Sequence, residues 1–319
     1  MAKAEYIISL IKSHYINEPE RFTTLALQIA AYEAKLGHTF VANEIKTIID
    51  KSKLERPKLK NFIPELQGLI IENIPAVSLS DIISPPDITD KIKRVILEFV
   101  QRDKLLKHDL ENRRKILLSG PPGTGKTLTA SIISNELKLP LYTILMDKMV
   151  TKFMGETSAK LRQVFDLIEQ RQGVYLFDEF DAIGGERSRD NDVGEMRRVL
   201  NSFLQFIERD NSDSLIIAVT NNKALLDQAL FRRFDDVVLY NLPTEEEKLE
   251  LLKNRLARYG KSKKVNFIQL LPSINGLSHA EISLACLDAI KETVLNESHP
   301  MSNDLILRAI KDRNNAYHK

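Results

Sequence analysis

The residues best suited to chemistry lie in two short runs. The first is Gly120-Pro121-Pro122-Gly123-Thr124-Gly125-Lys126-Thr127-Leu128, preceded by the strand-like Ile116–Ser119 and followed by a helical pattern to Leu137. In a strand, glycine-rich loop and helix in that order, backbone N–H groups converge on a phosphate at the helix N-terminus. Unpaired donors and the helix dipole both favour an anion there. Lys126 stands where it can bridge β- and γ-phosphates, and the Thr127 hydroxyl where it can ligate Mg2+. A glycine-rich turn without a ligand is the alternative. The lysine beside a hydroxyl and the strand before the loop count against it.

The second run, Val174-Tyr175-Leu176-Phe177-Asp178-Glu179, is a buried-strand pattern ending in two acids. Ligands of open α/β sheets gather at the carboxyl ends of strands. Asp178, first past the strand, is placed to hold Mg2+ or its water shell, and Glu179 to polarise an attacking water. Two acids after a strand are as often only the start of a solvated loop; the phosphate-binding run upstream tips the balance.

The elements that must position these groups follow from periodicity. Strand-like runs at Lys115–Ser119, Leu141–Leu145, Val174–Phe177, Leu215–Val219 and Val237–Leu239 alternate with helical patterns. That alternation predicts a mostly parallel sheet covered on both faces, an α/β P-loop fold. Beyond Pro243 strands cease, and Thr244 with Glu247 and Ser278 with Glu281 have capping-box spacing, so a helical lid is expected. Residues 4–52 read as a three-helix unit broken at Gly37, and Pro57, Pro64 and Pro75 mark a connector. The predicted organisation is a helical domain over 1–55, a linker over 56–80, an α/β subdomain over 81–242 and a helical subdomain over 243–319.

Composition narrows the field. Lys plus Arg number 46 against 44 Asp plus Glu, so a net charge of +2 selects no nucleic-acid partner. Basic clusters are short, at Arg113-Arg114-Lys115 and Lys261–Lys264. Cys286 is the single cysteine; it falls in a helical stripe with Ile282, Ala289, Ile290 and Val294, where a buried small residue belongs. No apolar run approaches the roughly 20 residues a spanning helix needs, and the cytoplasm is the expected compartment. None of the histidines begins a His-Glu-x-x-His pair, so proteolysis on this chain is not expected.

Taken together these residues resemble the AAA+ superfamily, and within it the AAA group, from about Leu79 to Ile310. The resemblance implies an ATPase using ATP and Mg2+ in a ring of identical subunits, usually a hexamer. It makes Asn221, at the end of Leu215–Thr220, the polar residue that helps to place the hydrolytic water. Leu226–Asp235 resembles the segment whose arginines, here Arg232 and Arg233, reach the γ-phosphate held by the neighbouring subunit. Gly276-Leu277-Ser278-His279-Ala280-Glu281 resembles the lid segment on the base and sugar side, so Gly276 and Ala280 join the nucleotide-binding set, whereas His279 replaces the usual glycine. A lone histidine at a helix start is more often a capping or surface residue. Asp81-Ile82 resembles the segment lying against adenine, although Ile82 and Ile83 would equally suit a core.

Lys152-Phe153-Met154-Gly155-Glu156 resembles the pore loop that grips an extended protein substrate, with Lys152, Phe153 and Met154 as its gripping residues, and Gly184–Asp192 a second axial loop. Helical core positions and an ordinary surface loop are the respective alternatives. The resemblance favours remodelling or unfolding of a protein substrate over an AAA+ motor or switch acting on nucleic-acid complexes, or a nucleotide-dependent scaffold. A short helical unit before one module also resembles bacterial ATPases often encoded beside a subtilisin-like protease. A separate protease or an adaptor could therefore dock on residues 1–55.

Overall fold

The computed structural model describes residues 4–15, 19–55, 66, 68–149, 156–181, 190–221, 231–257, 265–296 and 301–317. They fall into two compact units, Met1–Pro64 and Glu65–Lys319.

In the first unit, α1 (Ala4–Tyr15), α2 (Pro19–Lys35) and α3 (Thr39–Glu55) follow one another, with the break at Gly37. The Gly37 and His38 N–H groups close the end of α2 on the carbonyls of Ala34 and Glu33. Ala26, Ile29, Ala30, Ala42 and Ile49 are buried, whereas Ile8, Ile11 and Leu27 are exposed within it.

The second unit is built on a six-stranded sheet in the order β1-β3-β4-β5-β2-β6. Its strands are β1 (Ile70–Asn73), β2 (Lys115–Ser119), β3 (Leu141–Leu145), β4 (Val174–Asp178), β5 (Leu215–Thr220) and β6 (Asp236–Leu239). All pairings are parallel except the antiparallel edge pair of β1 with β3. The five expected strands are therefore present. β1 falls in the stretch read as a connector: a four-residue edge strand between prolines, it owes its place to pairing with β3, not to its own pattern.

Alternation along the strands sends side chains to two buried faces. On one, Ile116, Leu118, Leu176, Ile217 and Val219 pack with α4 (Pro86–Val100) and α6 (Lys126–Leu137) through Ile88, Ile92, Val95 and Ile133. A short helix, α5 (Arg102–Leu106), and α7 (Met146–Met149) link elements around the sheet. The opposite face carries an aromatic cluster joining Phe177 to α8 (Glu156–Gln170) and α9 (Asp190–Arg209): Phe203 lies edge-on to Phe177 at 5.1 Å, and Phe165 stacks on Phe177 at 5.9 Å.

After β6 the chain is helical: α10 (Glu245–Ala257), a 3-10 segment (Phe267–Ile274), α11 (His279–Leu295) and α12 (Asn303–Tyr317). Both expected capping boxes are made. Thr244 and Glu247 exchange hydrogen bonds of 2.8 and 3.3 Å, and Ser278 and Glu281 bonds of 2.7 and 3.4 Å. The helices share a core of Leu252, Leu256, Leu270, Ile274, Ile282, Cys286, Ala289 and Ile306. Val294, expected in the same stripe, is instead exposed, as the last residue but one of α11. Among the described residues no helix is long and apolar enough to cross a membrane.

Candidate active site

The phosphate loop runs from the end of β2 to the start of α6. At Gly120, with φ +152°, a Cβ would lie 2.2 Å from the Tyr240 carbonyl oxygen; at Gly123, φ +74°, one would lie 2.5 Å from Ser278 Oγ. The loop is thus clasped by the end of β6 on one side and the lid on the other. The Tyr240 hydroxyl and Thr129 Oγ1, 2.6 Å apart, and the Ala280 N–H donating to the Gly123 carbonyl at 3.0 Å, complete the clasp. Thr124 Oγ1 donates to the Pro121 carbonyl at 2.8 Å, while Pro122 and Gly123 face outward and Leu128 is half-buried.

Lys126 opens α6 and is 5% exposed. Its Nζ donates to the Gly120 and Pro121 carbonyls, both at 2.7 Å. Burial pushes its pKa down to about 8, and the nearby Asp178 and Asp181 carboxylates oppose that shift. No carboxylate of the described residues pairs with it at bonding distance. The N–H groups of Gly123, Thr124 and Gly125 likewise meet no acceptor among them. A buried cation beside unused backbone donors at a helix N-terminus fits a polyphosphate.

Asp178 ends β4. Its Oδ2 accepts from Thr127 Oγ1 at 3.1 Å and its Oδ1 from the Glu179 N–H at 2.9 Å. A hydroxyl and a carboxylate held together beside the loop are the donor set a hard cation such as Mg2+ takes. Glu179 has φ +52°, a left-handed conformation costly for a side-chain-bearing residue. The fold holds it there: fully buried Phe180 follows, its N–H bound to the Val219 carbonyl at 2.8 Å. The turn leaves the Glu179 side chain exposed at the strand ends. Asn221, one residue past β5, donates its backbone N–H to Asp181 at 3.3 Å. Asp181 was not among the expected residues; its only sequence signal is its place three past Asp178. Tyr240, which also shapes the loop, carries no such signal, and Ser278 is legible only as the cap of the lid helix.

On the lid side, Ile82 packs on the sheet core and Ile83 on the lid core, and Ile82 Cδ1 lies 3.9 Å from where a Gly125 Cβ would be. The core reading of both isoleucines and the proximity of Ile82 to the loop hold together. The Asp81 carboxylate accepts from the Ser78 N–H at 2.8 Å. Gly276 makes the turn before α11 with φ +82°. His279 is neither the cap, which is Ser278, nor a surface residue. Both its ring nitrogens are buried without a hydrogen-bond partner among the described residues, and burial lowers its pKa against the opposing pull of Glu247.

Arg232 and Arg233 lie at the other end of the sheet. They precede β6, whose first residue, Asp236, is level with Ile116 in β2, whereas the loop follows the last residue of β2. Arg232 is exposed; Arg233 Nε donates to Glu208 at 3.2 Å. The candidate gripping residues Lys152, Phe153 and Met154, the stretch 184–189, the Lys261–Lys264 cluster and the segment 226–230 lie outside the described residues.

Phosphate loop, carboxylates at the ends of parallel strands and helical lid define a P-loop nucleotide hydrolase. Residues 116–242 match the family model described as ATPase family associated with various cellular activities (AAA). Over 98% of its length, and 96% of the relative's, the chain is 30% identical to an uncharacterized AAA family ATPase, y4kL, of Sinorhizobium fredii. A proteasome-activating nucleotidase of Methanopyrus kandleri is 32% identical over 87% of this chain and 69% of its own. The corresponding protein of Archaeoglobus fulgidus is 30% identical over 71% of this chain and 59% of its own. The chain belongs to the AAA family and is an ATPase.

Proposed function

We propose that this ATPase works as a homo-oligomeric ring, a hexamer, whose subunits complete one another's sites, and that turnover drives remodelling or unfolding of a protein substrate in the cytoplasm. In this reading the loop N–H groups and Lys126 hold the phosphates of ATP, with Asp81, Ile82, Gly276 and Ala280 around the base and sugar. Thr127 and Asp178 hold Mg2+, which when bound neutralises phosphate charge. Glu179 takes the proton of the attacking water, and Asn221 orients that water. Phe153 and Met154 press on an extended client beside Lys152, and residues 1–55 dock a separate protease or adaptor.

One observation carries the ring. Asp235, just after the two arginines, is level with Lys115, where its N–H meets the Lys115 carbonyl. The chain's own phosphate loop begins five residues further along β2, roughly 16 Å away at strand spacing, beyond the reach of an arginine side chain. Arginines that serve a γ-phosphate from there serve another subunit's. Two features support a protein client. The relatives include proteasome-activating nucleotidases, and in the basic cluster the Arg113 guanidinium pairs with Glu98 and Asp236, that of Arg114 with Asp210, and Lys115 Nζ donates to the Asp210 carbonyl, leaving little charge for a nucleic acid.

The test is an unfolding assay on a fluorescent protein bearing an unstructured tail. The reading expects fluorescence loss with ATP but not with ADP. A Phe153→Ala protein should keep the parent melting temperature and basal ATPase while losing the unfolding. ATP turnover accelerated by DNA or RNA, with no action on the fluorescent client, would count against it.

A further inference from the structure

The charged residues at the start of β2 form one connected network. One Asp235 carboxylate oxygen accepts from the backbone N–H groups of both Arg114, at 2.8 Å, and Lys115, at 2.9 Å, and the Asp235 N–H donates to the Lys115 carbonyl at 2.8 Å. Next to it, Asp236 takes Lys91 Nζ at 3.1 Å and the Arg113 guanidinium at 3.3 Å. The Arg114 guanidinium pairs with the Asp210 carboxylate and donates to the Asp210 carbonyl at 2.7 Å; Asp210 is 2% exposed. On the other side of Asp235, Phe234 is buried and Arg233 is tied to Glu208.

Asp235 therefore sits between the arginine pair and a charged lattice fixed to α4, α9 and β2. It precedes the first residue of β6 and is itself exposed, so little burial depends on its side chain. What its carboxylate holds is the chain just after Arg232 and Arg233, tied to the backbone at the start of β2. We propose that Asp235 is a positioning residue for this arginine pair, setting where it is presented to the neighbouring subunit's nucleotide. The inference rests on the reading that these arginines act between subunits. A group whose worth lies in stabilising the γ-phosphate during transfer is sensitive to placement: an ångström of misplacement costs roughly a hundredfold in rate.

The experiment compares Asp235→Ala with Asp235→Asn, which retains an acceptor oxygen for the two backbone N–H groups. Melting temperature, affinity for a fluorescent ATP analogue and ATPase rate are measured, alone and in mixed oligomers. Asp235→Ala should melt near the parent temperature, bind the analogue normally and hydrolyse roughly a hundredfold more slowly; Asp235→Asn should stay close to the parent rate. Its own pocket being intact, Asp235→Ala should regain activity when mixed with Lys126→Ala subunits, which donate ordered arginines. Mixed with an Arg232→Ala, Arg233→Ala double variant it should regain none. Parent-like hydrolysis by Asp235→Ala, or no rescue by Lys126→Ala in oligomers shown to be mixed, overturns the proposal. If the double arginine variant is not rescued by Lys126→Ala either, the intersubunit reading itself has failed, and that control identifies the case.

Discussion

Thr127 Oγ1 and Asp178 Oδ2 lie 3.1 Å apart although 51 positions separate the two residues in the chain. The loop after β2 and the end of β4 meet there, with Glu179 turned outward beside them. Two acids in sequence are thus given different work: Asp178 is held on a hydroxyl, and Glu179 is left open to solvent. Asp178→Ala should weaken the Mg2+ dependence of nucleotide binding. Glu179→Gln should retain Mg-ATP and lose roughly 10²- to 10⁴-fold in turnover. Binding titrations with and without Mg2+, together with steady-state rates, check both; a Glu179→Gln protein at the parent rate would falsify the assignment of the base.

Lys126 gives the site a pH signature. With a ligand-free pKa of about 8, it is mostly cationic at neutral pH and loses its proton as pH rises through that value. Phosphate favours the cation, so the bound pKa is higher than the free one. Affinity for ATP should be nearly flat below about pH 8 and fall by up to about tenfold per pH unit above it. Nucleotide titrations across that range test this, and an affinity that holds constant well above it would contradict the lowered pKa of Lys126.

Gly120 and Gly276 both have positive φ, yet only Gly120 has no room for a side chain. Gly120→Ala should cost about 1 to 3 kcal/mol from overpacking alone, lowering the melting temperature by several degrees and ending nucleotide binding. Gly276→Ala meets nothing within 4 Å and should show only the smaller conformational penalty. Equal effects in thermal melts would mean that Tyr240 does not close on the loop.

Cys286 is a buried member of the lid core, and burial raises its thiol pKa to about 12. The native protein should resist thiol-modifying reagents at mildly alkaline pH and react only as the lid opens or unfolds. Rapid labelling of the folded protein, followed by mass spectrometry, would show that this core is not closed.

The strands of the sheet centre were legible because each is a short apolar run bounded by turn residues, and the phosphate loop because its glycines, lysine and hydroxyl have fixed offsets. What escaped was set by distant contacts. β1 becomes a strand only through Tyr142 and its neighbours in β3. Arg113-Arg114-Lys115 looks like a solvated cluster until Glu98, Asp210, Asp235 and Asp236 are folded around it. Asp181 and Tyr240 come to the nucleotide loop from other elements, and the capping spacing of Ser278 does not show that its hydroxyl lies against Gly123. His279 occupies the first helical turn where a surface residue is normal, and only the packing around it buries its ring.

The central claim, that one subunit's arginines complete another's site, is tested most directly by mixing two inactive proteins. Lys126→Ala lacks a working pocket but carries Arg232 and Arg233; the double arginine variant has the pocket and lacks the arginines. Each alone should hydrolyse ATP poorly, since an arginine supplied in this way is worth roughly 10³- to 10⁵-fold. The measurement is the steady-state ATPase rate of the mixture as the ratio of the two proteins is varied. The account predicts activity that rises well above either parent and peaks at an intermediate ratio. Activity that stays at the sum of the two separate rates, in oligomers shown to contain both subunits, would contradict it.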